Sequence, residues 1–308
     1  MKTYACFQGC KIPARIPQYA TASRAVLALF GIELAEVAEF ACCGYPSRNV
    51  DERASLLAAA RNLAVAEQRG QAIAVACNCC FASLRKARQA MAGDPALAKE
   101  CNAILAREGL HCSGKAEINH LLTILHRDVG AEELRKRRSL AFKDLPVAVL
   151  HGCHLLRPRE VTDFDNSFVP KIATELIECS GAKSLYWRGA VECCGAALAG
   201  IDDLLARRLL NEKISGAWAA GAEVLVSLCA YCYLQCDSHQ KLEQGTSTTA
   251  QLPVLLLPQL LGLCFGVDQA LLGIACNATV DATFLQGLTA RLAPPEEEKK
   301  KRKAAVAA

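Results

Sequence analysis

The chain lacks the features that would assign it to several large functional classes. Its 35 basic and 31 acidic residues leave a net charge of only +4, and part of that excess sits in one short C-terminal run. Polyanion or anionic-membrane binding therefore has little compositional support. No apolar stretch reaches the roughly 20 residues of a spanning helix. The most apolar one, Leu252 to Val267, is broken by Pro253, Pro258, Gln259 and Gly262, and reads as a pair of core helices, with docking of a partner subunit as the alternative. The opening Met1-Lys2-Thr3-Tyr4-Ala5 is not followed by the apolar core of a secretory signal. A GxGxxG dinucleotide fingerprint is missing as well.

What the chain has in excess is cysteine, 18 in 308 residues. Disulfide-dense scaffolds are small and secreted, whereas this chain is long enough, and at 52 % hydrophobic apolar enough, to bury its own core. Reduced thiols serving metals, in a cytoplasmic protein, are the expectation.

The cysteines repeat. The first half reads Gly9-Cys10, Cys42-Cys43-Gly44 and Cys77-Asn78-Cys79-Cys80; the second reads Gly152-Cys153-His154, Cys193-Cys194-Gly195 and Cys229-Ala230-Tyr231-Cys232. The lone cysteine and the pair are separated by 31 residues in one half and 39 in the other; the glycine and the CxxC by 32 and 33. The surroundings repeat too. Strand-like runs (Tyr4–Phe7 and Pro146–Leu150) precede each lone cysteine, and helical segments follow (Ala20–Phe30 and Val169–Ser180). An extended segment then delivers each pair. Long helices come next, near Asp51–Arg69 and Asp202–Ala220, each opening on an aspartate suited to an N-cap. Short apolar strands, Ala72–Ala76 and Glu223–Leu228, end at the CxxC motifs.

This alternation predicts an α/β chain of two pseudo-symmetric domains, each a small sheet with flanking helices. The expected domains are 1–140 and 146–293, with a disordered basic tail over 294–308. The charged segment Glu132–Arg138 marks the boundary, a solvated helix being the alternative.

Thiolates are soft ligands for iron–sulfur clusters and zinc. A CxxC that opens a helix also gains from the helix N-terminal amides, which favour the thiolate. Thioredoxin-like motifs share that placement but need neither a Cys-Cys-Gly nor a lone upstream cysteine. Structural zinc takes four ligands in two short-spaced pairs, which five cysteines per half fit poorly. Adjacent cysteines are poor disulfide partners for one another, so each pair is better explained by a shared multinuclear centre. The following glycine is expected to let the backbone approach that centre.

The pattern closely resembles the CCG domains of the heterodisulfide reductase B-subunit family. The resemblance extends to Phe7-Gln8-Gly9-Cys10, Ala76–Cys80, His151–Pro158, Cys193–Ala196, Leu252-Pro253-Val254 and Gln259–Leu263, and so spans nearly the whole chain. It implies two non-cubane [4Fe–4S] clusters. The first would be held by Cys10, Cys42, Cys43, Cys77 and Cys80, and the second by Cys153, Cys193, Cys194, Cys229 and Cys232. It also implies chemistry on a disulfide or sulfur carrier between the clusters. Electrons would pass through a cubane iron–sulfur subunit and a flavin subunit, which agrees with the lack of a CxxCxxCxxxCP segment here.

Cys42-Cys43-Gly44-Tyr45-Pro46 departs from the Cys-Cys-Pro common in methanogen subunits and hints at complexes that oxidise sulfur with a lipoate-bearing carrier. A second reading is an electron relay of the kind found in lactate- or glycolate-oxidising complexes. His154 is the candidate catalytic side chain, as a donor to cluster sulfide or to a leaving thiolate. His151 reads as structural. Arg157, Arg159 and Lys183 read as solvated surface, with steering of an acidic substrate as the alternative. Cys79 and Cys236 read as buried core thiols, with ligation as the alternative. The remaining six cysteines lie outside the repeat.

Overall fold

The structure is a computed structural model that describes residues 2–242 and 251–295. Two parallel four-stranded sheets organise it, together with one antiparallel pair of two-residue strands. The first sheet holds β1 (Lys2–Phe7), β2 (Ile32–Glu36), β3 (Ile73–Val75) and β4 (Ile118–His120), in the order β2-β1-β3-β4. After β5 (Ala141–Phe142), the second sheet holds β6 (Pro146–Leu150), β7 (Lys183–Leu185), β8 (Val224–Ser227) and β9 (Val254–Leu256). Its order, β7-β6-β8-β9, is the same topology. The chain therefore has the α/β class and the internal repeat expected from its sequence.

Parallel strands need crossovers that cover both sheet faces, so these strands are buried on both sides. Val147, Ala148, Leu150, Val224, Leu225 and Val226 have no exposed surface. The long crossover helices run over Glu52–Gln68 and Asp203–Ala219, and the expected aspartates cap them. Asp51 accepts from the Ala54 amide and Asp202 from the Leu205 amide. In both sheets the chain reverses its winding between the first strand and the third. This is the place where the loops at the carboxyl ends part and form a crevice. The lone cysteines leave β1 and β6, and the CxxC motifs leave β3 and β8, so they flank that crevice in each half.

Besides the short β5–β10 pair, two strands of the four-stranded sheets were not expected. β4 is too short for alternation to show. β9 lies inside the apolar run Leu252–Val267, expected to be a pair of core helices. The run instead forms a strand and one helix, Leu257–Cys264, because a short apolar run fits either period and Pro258 sets the helix start. All of Leu252 and Val254–Phe265 is buried, so this run is core and offers no docking surface. The charged segment takes its alternative form, a helix over Ala131–Arg137 with Leu134 buried. Of the expected tail, 296–308 lies outside the described residues.

The two halves are interleaved. The helix Pro17–Ala28 of the first half packs on Leu257–Cys264 and Gln269–Leu272 of the second. Gln18 lies 3.4 Å from the Tyr233 hydroxyl, and a Cβ on Gly273 would sit 2.6 Å from that of Gln18. The strand pair β5–β10 (Leu292–Ala293) returns the chain to the segment between the sheets.

Candidate metal centre

Each cysteine of the repeat is delivered by the end of a strand. Cys77 and Cys229 are extended residues that cap the helices Asn78–Gly93 and Ala230–Leu234, so each CxxC opens a helix as expected. Cys10 precedes the helix Lys11–Arg15, and Cys153 opens Cys153–Leu156. The pairs lie on loops after β2 and β7.

Those loops are held from below by equivalent residues. Asn62, fully buried, accepts from the Ala41 amide at 2.8 Å and donates to the Cys42 carbonyl at 3.1 Å. Lys213, also buried, donates to the Gly189 carbonyl at 2.6 Å and lies 3.5 Å from Glu192. The loop amides then point at sulfur. Gly44 and Tyr45 donate to Cys42 and Cys43; Gly195 and Ala196 donate to Cys193 and Cys194, the Gly195 bond measuring 3.4 Å.

The two sets meet. Cys77 Sγ lies 4.0 Å from Cys229 Sγ, and Cys194 Sγ donates to Cys232 Sγ at 3.3 Å. Further thiol hydrogen bonds link Cys42, Cys43, Cys80 and Cys77 on one side, and Cys229, Cys232, Cys194, Cys193 and Cys153 on the other. Cys10 follows Gly9, whose Cβ would lie 2.8 Å from Cys80 Sγ. Nine of the ten candidate ligands thus form one continuous run of sulfur, and the tenth lies against it. Six are buried, whereas Cys10 and Cys193, one in each half, are exposed.

Crowded thiols share protons unequally. Hydrogen bonds from Cys42 and then Cys80 pull the Cys43 thiol down to about 3. Those from Cys153 and then Cys194 pull Cys193 down to about 2. Burial pushes Cys229 up, but donors from Cys232, Cys77 and Cys79 outweigh it and hold the group well below the ordinary thiol range. A buried thiolate with three thiol donors is in the environment that a cation would otherwise supply. Cys77, Cys79 and Cys229 also place their sulfurs within 4.8 Å of one another. Asn78 donates to the His151 carbonyl at 2.7 Å, while its buried Oδ1 lacks a protein partner in the cavity between the halves. This donor set is soft, anionic and incompletely satisfied, and it fits an iron–sulfur group better than a disulfide framework.

The glycines also have a second role, beyond bringing backbone amides to sulfur. The glycine after each pair faces helix backbone and not the centre: a Cβ on Gly44 (φ +79°) would lie 2.5 Å from the Ser55 carbonyl oxygen. The glycine before each lone cysteine is the one against sulfur. A Cβ on Gly152 (φ +78°) would lie 2.6 Å from Asn78 Nδ2 and 3.3 Å from Cys232 Sγ.

His154 stands where expected, its Nδ1 3.3 Å from Cys153 Sγ, and it also lies 3.9 Å from Cys79 Sγ. Burial lowers its basicity, and the Tyr45 ring packs edge-on at 4.9 Å. His151 is buried and bonded through its backbone to Ala190, a structural role. Arg157 donates to the Val191 carbonyl at 2.6 Å. Cys236 and Cys79 are both buried in the core as expected, and the sulfur of Cys79 in addition lies within 4.8 Å of those of Cys77 and Cys229. Sequence reasoning missed Asn62 and Lys213. The available signal was a polar residue on the buried face, eleven positions after the capping aspartate in both halves.

The cysteine-rich CCG domain family matches residues 4–85 and 147–237. At 35 % identity the chain is similar to a heterodisulfide reductase B-subunit-like protein of Archaeoglobus profundus, over 87 % of this chain and 92 % of that one. At 31 % identity it is similar to the B-subunit of the ferredoxin/F(420)H(2)-dependent CoB-CoM heterodisulfide reductase of Methanosarcina acetivorans, over 92 % and 96 %. Also at 31 % is the 8-methylmenaquinol:fumarate reductase membrane anchor subunit of Wolinella succinogenes, over 92 % and 99 %. Among solved structures, a hypothetical protein from Helicobacter pylori shares the fold, with a TM-score of 0.69 at 16 % identity. The match covers 92 % of this chain and 53 % of that one, so the chain spans about half of that protein. Among the described residues no helix is long and apolar enough to cross a membrane.

Proposed function

Because the chain belongs to the heterodisulfide reductase B-subunit family and carries two CCG cysteine-rich domains, we propose that it is the subunit on which a disulfide or related sulfur bond is broken or made. In this reading the domains are 1–140 and 146–293. Cys10, Cys42, Cys43, Cys77 and Cys80 hold one non-cubane [4Fe–4S] cluster, and Cys153, Cys193, Cys194, Cys229 and Cys232 hold the other. The observation that supports it is the approach of the two cysteine sets at Cys77 and Cys229, whose sulfurs lie 4.0 Å apart.

When bound, such clusters supply electrons and iron positions that accept sulfur. The chain supplies the rest. Asn62 and Lys213 fix the paired-cysteine loops, and loop amides donate to sulfur and stabilise its negative charge. Tyr45 and Tyr231 cover the crevice between the halves, their rings 5.5 Å apart. The imidazole of His154, beside Cys153 and facing that crevice, is placed to give a proton to a departing thiolate or to accept one from an arriving thiol.

Partners that carry electrons are part of the proposal: a cubane iron–sulfur subunit and a flavin subunit, with a disulfide or a lipoate-bearing carrier as substrate, in the reducing cytoplasm. A second reading has one specific support. The Wolinella relative is named for fumarate reduction, so a relay without contact to a sulfur substrate also suits this chain.

Iron and acid-labile sulfide should be counted after anaerobic purification, with electron paramagnetic resonance recorded with and without added thiol. About eight irons per chain and a thiol-sensitive signal are the expected result. About eight irons with no response to thiol would favour the relay, and zinc or no metal would end both readings.

A further inference from the structure

The third position of each CxxC motif crosses to the opposite half. In the first motif that residue is Cys79. Its neighbour Cys80 stays with its own set, bonded to Cys43 and lying under Gly9. Cys79 turns the other way. Its sulfur lies between the two sets, hydrogen-bonded to Cys229 of the second and Cys77 of the first, and 3.9 Å from His154 Nδ1. It lines the cavity whose wall includes Cys153, Cys193, Cys194, Cys229 and Cys232, a wall to which none of the first set contributes. Asn78, its neighbour in sequence, lines the same cavity and has a buried Oδ1 without a hydrogen-bond partner.

The equivalent residue in the second motif is Tyr231, and it crosses in the opposite sense. Its ring packs at 5.5 Å on Tyr45 and lies under the Lys11 ammonium at 5.2 Å, both residues of the first half. Burial pushes its hydroxyl up, and the neighbouring cysteines of the first half add to that direction. Tyr231 also lines the cavity that Cys79 lines, so the two motifs differ in chemistry at this position: the first places a sulfur there and the second a phenol.

We propose that Cys79 is a sixth, displaceable sulfur ligand of the second cluster, supplied across the domain interface, and that it makes the two centres inequivalent toward external thiols. This rests on the two-cluster reading above. Cys79 binds iron as a thiolate and releases its proton. An incoming thiol exchanges with it: the external sulfur binds iron, its proton passes to Cys79, and no electron moves. The first site has no such competitor, since the Tyr231 hydroxyl donates hydrogen bonds but is a poor ligand for iron beside thiolates. External thiol therefore binds the first centre directly and the second only by displacing Cys79.

The test uses the anaerobically purified full chain with 57Fe, as native protein, Cys79→Ser and Cys79→Ala. Iron and labile sulfide should be equal in all three, because the ten other ligands remain. The Mössbauer spectrum of one cluster should change in both variants while the other is unaltered. With 2-mercaptoethanol as probe, the second cluster of Cys79→Ala should respond at roughly tenfold lower thiol than in the native protein, the size expected when one competing ligand is removed. In native protein labelled with β-deuterated cysteine, electron–nuclear double resonance should count six cysteines on one cluster and five on the other. Five on each, or variant spectra that superimpose on the native one, would overturn the proposal. A native protein that holds no iron would instead overturn the cluster reading on which it rests.

Discussion

Asn62 and Lys213 do the same work in the two halves with different chemistry. Each lies eleven residues after the aspartate that caps its helix, each is buried, and each reaches back to backbone carbonyl in the segment that carries a cysteine pair. An amide satisfies an amide and a carbonyl in the first half; in the second, an ammonium reaches a carbonyl and Glu192.

Asn62→Ala should therefore loosen the Cys42-Cys43 loop alone. It leaves the Ala41 amide and the Cys42 carbonyl without their side-chain partner, at a cost of about 1–3 kcal/mol. The expected outcome is a lower thermal midpoint and preferential loss of the first cluster, read as iron falling toward half. Lys213→Met should show the mirror-image loss. Equal loss from both sites in either variant would contradict this division.

Gly152→Ala places a methyl group 2.6 Å from Asn78 Nδ2, at a positive φ that an alanine adopts only with strain. Its expected result is loss of the second cluster and destabilisation by several kcal/mol, about 2 or more. Gly287→Ala is the control. It sits inside the helix Ala282–Ala290 with nothing within 4 Å of the new methyl, and should stabilise by about 0.5–1 kcal/mol. Paired thermal melts and iron assays separate the two.

Cysteines outside the repeat should be silent toward iron. Cys112 is buried in the first half, where burial raises its thiol to about 11. Cys112→Ala should keep the full iron content and lose only packing, about 1 kcal/mol. Cys43→Ala should lose the first cluster. Equal iron loss in both variants would show that the cysteine count matters more than its placement.

Asp128 sets a pH dependence away from the cysteines. It resists desolvation through Arg127, Tyr4 and Lys2, which hold its carboxyl at about 2. A depressed folded-state pKa stabilises above the unfolded value near 4, and that contribution is lost as pH falls through about 2. Asp128→Asn should thus cost about 1–2 kcal/mol at pH 7 after allowance for screening by solvent. The native and variant melting curves should converge as the medium is acidified from about pH 4 toward 2. A gap that persists at the lowest pH would assign the effect to shape and not charge.

Much of this architecture was legible because the repeat was legible. The capping aspartates Asp51 and Asp202, the strands that end at each CxxC and the order of the cysteines follow from local pattern. What was hidden is what local pattern does not encode. β4 and β9 are three residues each and are defined by their neighbours β3 and β8. The crossing of Cys79 and Tyr231 depends on how the halves meet, and nothing in either motif announces it. The glycine of each Cys-Cys-Gly is required by a helix eleven residues downstream, where Ser55 or Ala206 presents its backbone.

The helix Pro17–Ala28, which leans on Leu257–Cys264 from the far end of the chain, bears on ancestry as well as packing. A duplicated unit that later lends its neighbour a wall gives up its independence. Expressed alone, residues 1–140 would leave the Gln18 and Tyr19 side of that helix facing solvent. The two halves share a topology but differ in their polar supports, and each lends surface to the other. Swapping single units between relatives should therefore fail where exchange of whole chains succeeds.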